Sequence, residues 1–128
     1  MSLLEVNGLT HHVEESGSGP ALLLLHGFTG SGANWNPLLP GLSENYRVIT
    51  VDFPGHGATS APTDPARYSI ENTAADLDAI LEKLAIEQAA VLGYSMGGRV
   101  ALFFALRYPA KVSALVLESA SPGLSTEQ

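Results

Sequence analysis

Apolar and polar positions along the chain follow two different rhythms. Three stretches read as buried strands, Ala21 to Leu25 as a continuous apolar run bounded by turn residues, Arg47 to Asp52 (RVITVD) and Ala89 to Leu92, and Ala114 to Leu117 reads as a fourth strand. Unbroken apolar runs of this length predict strands buried on both faces. Between the second and third, Ile70, Ala74, Leu77, Leu81 and Leu84 recur at spacings of four, three, four and three. That spacing keeps one face of a helix apolar, with Glu71, Asp78 and Glu82 elsewhere on its surface, and Ser69 is placed to cap it. Met96 to Tyr108 reads as a second helix, stopped by Pro109. A short helix is expected after the glycine-rich stretch His26 to Gly32, with Asn36 as its cap, Pro37 in its first turn and its end near Gly41. At the start, Leu3 to Val6 and Leu9 to Glu15 flank Asn7-Gly8, the favoured pair for a two-residue hairpin turn. Strands alternating with helices predict an α/β domain over residues 1–128, with a mostly parallel sheet, helices on both faces and an antiparallel hairpin at one edge.

Composition narrows the partners. The chain has 128 residues, 45% hydrophobic and 15% charged, enough for one globular domain with a core. Its net charge is −7, and its cations Arg47, Arg67, Lys83, Arg99, Arg107 and Lys111 are scattered. Without a basic patch, nucleic acid and anionic membranes are not expected partners. There is no cysteine, so disulfides, thiolate metal sites and a cysteine nucleophile are excluded. The N-terminus MSLLEVNG has no basic and long apolar leader pattern, so a cytoplasmic location is expected. No cofactor is called for. His11 and His12 are adjacent on a predicted strand and face opposite ways, which is poor geometry for a shared metal.

One stretch carries chemistry. LGYSMGGR places Ser95 between Gly93 and Gly97, where a buried strand passes directly into a helix. A turn that tight strains the serine backbone and demands small neighbours. It lifts the hydroxyl above the strand's carboxyl end, where the helix N-terminus points its N–H groups. Ser95 is therefore the candidate nucleophile and the Met96 N–H a candidate oxyanion donor. His26-Gly27-Phe28 follows the first buried strand, and the Phe28 N–H is the second candidate donor. His26 precedes the serine and is read as shaping that loop at the substrate's edge rather than as the base.

LLLLHGFTGSGANW, VITVDFPGHGATSAP and VLGYSMGGRVALFFALRYPAKVSALVLESASPG together resemble the α/β-hydrolase fold family over nearly the whole chain. Within it, DFPGHG with GYSMGGRVAL is most similar to the pyruvate-eliminating synthases of menaquinone biosynthesis. That resemblance implies a serine triad and arginines that hold substrate carboxylates, with Arg99 and Tyr94 as substrate contacts. It also implies the triad order serine, acid, histidine. No histidine follows Ser95; the four are His11, His12, His26 and His56, and the only later carboxylates are Glu118 and Glu127. The expectation is a truncated hydrolase fold lacking the lid and last strands. His56, in PGHG after a strand end, is the best candidate base within the chain, and Glu118, at the end of the last strand, the candidate acid. A strand left open at the edge favours pairing between copies, so a homo-oligomer, at least a dimer, is expected. Three functions compete. The first is a serine hydrolase of small carboxylic esters that depends on self-assembly. The second is a portion of a pyruvate-eliminating synthase. The third is a catalytically dead half-domain serving as a folding or assembly module.

Overall fold

A computed structural model of the chain describes residues 2–119. The hairpin forms as its sequence demands. Strands β1 (Ser2–Val6) and β2 (Leu9–Ser16) meet at Asn7 and Gly8, with φ of 50° and 81°. Those two left-handed positions match the twist of the flanking strands. Strands β3 (Ala21–Leu25), β4 (Arg47–Val51), β5 (Ala89–Tyr94) and β6 (Val112–Glu118) complete a six-stranded sheet in the order β1-β2-β4-β3-β5-β6. β2 runs antiparallel to β4, and β4, β3, β5 and β6 are mutually parallel.

The alternation of β3 divides the core. Leu23 and Leu25 face helices α2 (Ile70–Lys83) and α3 (Met96–Arg107), packing with Leu77, Ile80 and Phe104. Leu24 faces the other way, onto Trp35 and Val48, with Leu39 and Leu42 of the one-turn helix α1 (Leu39–Leu42) beside them. Both faces are covered, one by full helices and the other by short turns. Helix α2 is capped by Ser69, whose Oγ accepts from the Asn72 N–H at 3.1 Å. Glu71 in its first turn and Lys83 in its last suit the helix dipole.

The segment after the glycine-rich loop departs from the expected helix capped by Asn36. It begins earlier, at Ser31, whose Oγ accepts from Ala33 N–H at 3.3 Å while its own N–H donates to Asn34 Oδ1 at 2.9 Å. This reciprocal bonding starts a 3₁₀ turn over Gly32–Leu38 with Pro37 inside it. Asn36 instead accepts from the Leu39 N–H. No helix among the described residues is long and apolar enough to cross a membrane.

Strand order also fixes where a site can form. The chain leaves β3 toward β4 on one side and later returns to β5 on the other. Loops leaving the carboxyl ends of β3 and β5 therefore diverge and open a crevice.

Candidate active site

Ser95 stands at that crevice, immediately after β5. Its backbone has φ 54° and ψ −115°, a left-handed conformation that a side-chain-bearing residue rarely adopts. Two things hold it there. Its N–H donates to the Glu118 carbonyl at 2.9 Å, and its carbonyl accepts from Gly98 and Arg99 at the start of α3. The flanking glycines are required by contact. A Cβ at Gly93 would strike the Gly97 carbonyl, and one at Gly97 would strike the carbonyls of Leu25 and His26. Removing both side chains lets α3 descend onto the end of β3.

The glycine-rich loop after β3 lies against this turn. A Cβ at Gly27 would sit 3.0 Å from the Tyr94 ring and 3.5 Å from the Ser95 Cβ. Phe28 follows at once. Neither its N–H nor that of Met96 has a protein acceptor among the described residues. Met96 opens α3, where the first amides have no intrahelical partner. Two unengaged donors thus flank the serine from different elements.

His26 is fully engaged. Its Nδ1 donates to the Gly27 carbonyl at 2.7 Å and its Nε2 accepts from the Phe53 N–H at 3.0 Å. Burial lowers its pKa below the usual histidine value despite the Gly27 bond, which keeps the ring neutral. Its role in the geometry is to pin the glycine-rich loop to the loop after β4. His56 differs. Its Nδ1 lies 3.0 Å from the Pro54 carbonyl, a contact that seats the proton on Nδ1 and leaves Nε2 free to accept. Its ring is 5.1 Å from that of His26 and 5.7 Å, edge-on, from that of Phe28. No hydrogen bond joins His56 to Ser95 among the described residues.

Besides a third, of about 490 Å³, that Phe28 and His56 share with Pro54 and Tyr68, two cavities open here. One, of about 470 Å³, is lined by Asn34, Trp35, Leu38, Tyr94 and Glu118 along with the glycine-rich loop. The other, of about 310 Å³, is lined by Phe53, His56, Ile70, Met96, Arg99 and Val100 among others. Tyr94 and Glu118 thus share one cavity and His56 and Arg99 the other. Glu127 lies outside the described residues.

Sequence reasoning missed the residue that organises these loops. Asp52, 3% exposed, follows β4. It accepts from Gly32 N–H at 2.7 Å, Ala58 N–H at 2.9 Å and His12 Nδ1 at 2.7 Å. Burial alone would raise its pKa, but these donors hold it below the usual carboxylate range. A clue existed: Asp52 ends an apolar strand, where an unpaired charge would be costly. No group of three or more potential ligands is placed for a metal ion among the described residues.

Residues 20–128 match the family model described as alpha/beta hydrolase fold. A Bacillus subtilis protein carrying the provisional name 2-succinyl-6-hydroxy-2,4-cyclohexadiene-1-carboxylate synthase is 43% identical over 122 residues, 94% of this chain and 44% of that one. Epoxide hydrolase 2 of Siraitia grosvenorii is 40% identical over 88% of this chain and 36% of its own length. Among solved structures, an epoxide hydrolase from Vigna radiata superposes with a TM-score of 0.87 at 33% identity, covering 91% of this chain and 38% of that one. A variant of the meta-cleavage product hydrolase from Pseudomonas fluorescens gives 0.84 at 34% identity, with coverage of 93% and 44%. The chain therefore spans less than half the length of each of these relatives. The strained serine turn, the strand order and the family match over residues 20–128 agree: this chain belongs to the alpha/beta hydrolase fold family.

Proposed function

We propose that this chain carries the nucleophile side of a serine hydrolase acting on small carboxylic esters. One observation carries the reading: Ser95 in its left-handed turn, flanked by the unengaged N–H groups of Met96 and Phe28. Such donors stabilise the oxyanion that forms when a hydroxyl adds to an ester carbonyl. His56 is the candidate base, with Nδ1 tied to Pro54 and Nε2 free. It removes the Ser95 proton as Oγ attacks, then returns it to the departing alcohol. Water repeats the sequence on the acyl-enzyme and releases the acid. Glu118 supplies negative charge to the neighbouring cavity, and Tyr94, Arg99 and the His26 loop form the walls around the substrate. Self-association belongs to this reading. Among the described residues β6 pairs with β5 alone and leaves Val116 and Leu117 exposed, so a second copy pairing along this edge would cover it.

Hydrolysis of p-nitrophenyl acetate by the purified chain tests the reading, beside Ser95→Ala and His56→Ala. Ser95→Ala is expected to abolish turnover, and His56→Ala to reduce it about 10²- to 10⁴-fold. Turnover equal to that of Ser95→Ala in the wild type would leave a folding or assembly unit. Light scattering reads the self-association, and a monodisperse monomer counts against it.

A second reading has its own support. The Bacillus subtilis relative is named for a synthase, and Arg99 lines the His56 cavity, where it could hold a substrate carboxylate. Pyruvate released from that synthase's substrate, in the absence of ester turnover, would favour it.

A further inference from the structure

We propose that Asn7 is a modification site: its side-chain amide is lost to attack by the Gly8 backbone nitrogen, and the carboxylate that replaces it loosens the hairpin tip from α2. Asn7 alone of the five asparagines precedes a glycine; Asn34, Asn36, Asn45 and Asn72 precede Trp35, Pro37, Tyr46 and Thr73. The difference is chemical. Attack needs a backbone N–H that can lose its proton and reach the side-chain carbon; a following side chain obstructs the approach, and proline has no N–H. Asn7 and Gly8 are both exposed. A Cβ on Gly8 would meet nothing within 4 Å, and its N–H has no protein acceptor among the described residues. A cavity of about 370 Å³, lined by Glu5, Val6, Asn7, Ala79, Glu82 and Lys83, gives room for water and for the side chain to swing. None of these residues lines a cavity beside the serine turn, so the site is separate from the proposed ester chemistry.

The reaction consumes only water. The Gly8 nitrogen bonds to Asn7 Cγ and the Cγ–Nδ2 bond breaks. The proton from the Gly8 nitrogen ends on the departing amine, which leaves as ammonia, and a five-membered imide remains. Water then adds to either imide carbonyl. Cleavage at Cγ gives aspartate, and cleavage at the backbone carbonyl gives isoaspartate, whose chain runs through the side chain. What the amide now holds sets the consequence. Asn7 Nδ2 donates to Asp76 Oδ1 at 2.9 Å, and Asp76 is 1% exposed. Either product replaces that donor with a carboxylate facing a carboxylate. The groups packed around Asp76 do not offset it. Arg67 already donates to both Asp76 oxygens, and His11 lies 3.4 Å from the same group. Lys83 stands across the cavity from Asn7, but with Glu5 and Glu82 beside it. Isoaspartate also lengthens a two-residue turn whose register pairs Val6 with Leu9.

Incubation of the purified chain in mildly alkaline buffer, followed by peptide mapping with separation of the isomers, tests the site. Aspartate and isoaspartate should accumulate at position 7 ahead of any change at the other asparagines. The urea midpoint should fall as the converted fraction rises. Asn7→Gln, whose longer side chain disfavours the five-membered ring, should show no such drift over the same period. Asn7→Asp supplies one product from the start and should have a lower midpoint than wild type. In an Asp76→Asn background the same change should lower the midpoint less, because the new carboxylate then faces an amide. Absence of conversion at Asn7, or conversion spread evenly over the asparagines, would overturn the site. An Asn7→Asp chain as stable as wild type, or an equal loss in both backgrounds, would overturn the loosening of the hairpin tip.

Discussion

His11 and His12 are neighbours on β2, yet each faces a different buried aspartate on a different side of the sheet. His12 Nδ1 lies 2.7 Å from Asp52, and His11 Nε2 lies 3.4 Å from Asp76. The remaining partners differ in kind. Asp52 is held by backbone amides of Gly32 and Ala58, which belong to the loops bearing Phe28 and His56. Asp76, 1% exposed on α2, is held by side chains: Asn7 Nδ2 at 2.9 Å and Arg67 Nη2 at 3.1 Å to both oxygens. A carboxylate bound by amides shapes the path of the chain. One bound by side chains ties separate elements together, here the hairpin turn, β2, the turn before α2 and α2 itself. The same residue pair thus serves the site in one place and the scaffold in the other.

The comparison is broken most forcefully at Asp76. Asp76→Ala leaves the buried Arg67 contacts without their counter-charge and His11 without its neighbour, and should cost about 3–5 kcal/mol in urea unfolding. Ester turnover per folded molecule should stay near wild type. Asp52→Asn should cost less, about 1.5–3 kcal/mol, since it retains one acceptor for the amides. Its turnover per folded molecule should nevertheless fall at least tenfold, because the loops of Phe28 and His56 lose their common anchor. Equal effects of the two variants on turnover would erase the distinction. Acid sharpens it further. Burial would raise both carboxyls, but hydrogen bonds hold both below the usual value of 3.8. Their contribution is present in full above that value and is lost as pH falls through the lower folded values. The acid limb of a stability curve should therefore flatten in both Asp76→Asn and Asp52→Asn. The smallest effect belongs to Lys111, which pairs with Asp78 and Glu82 of α2 at the protein surface. Desolvation opposes its charge, but Asp78 and then Glu82 raise its pKa above 10.5. That stabilisation is complete below 10.5 and is lost as pH rises through the raised value. Lys111→Met should cost under about 1 kcal/mol.

What could be read from the sequence was local. The Asn7-Gly8 turn, the run Ala21–Leu25, the Ser69 cap and the serine turn each depend on residues within a few positions of one another. The strands were found from their apolar runs, though β6 proves largely exposed, and their parallel arrangement from alternation with helices, but not their order in the sheet. The start of the segment after the glycine-rich loop was misplaced. Ser31 and Asn34 bond reciprocally there, and Pro37 drew attention to the wrong turn. Asp52 and Asp76 were not legible as anchors. Their partners lie up to 69 positions away, and no pattern along the chain pairs Asn7 with Asp76. For the same reason the sequence could set His26 aside as a loop-shaping residue and name His56 as the candidate base, but could not give the bonds that separate a doubly bonded ring from one with Nε2 free.

The bond from the Ser95 N–H to the Glu118 carbonyl ties the serine turn to β6, the outermost parallel strand among the described residues. Among the described residues β6 pairs with one strand, whereas β4, β3 and β5 each pair with two. Were the end of β6 to part from β5, the left-handed serine would lose one of its restraints. If Ser95 is the nucleophile proposed above, its reactivity would gauge how firmly that edge is docked, and a second molecule clasping β6 would act on it without touching it.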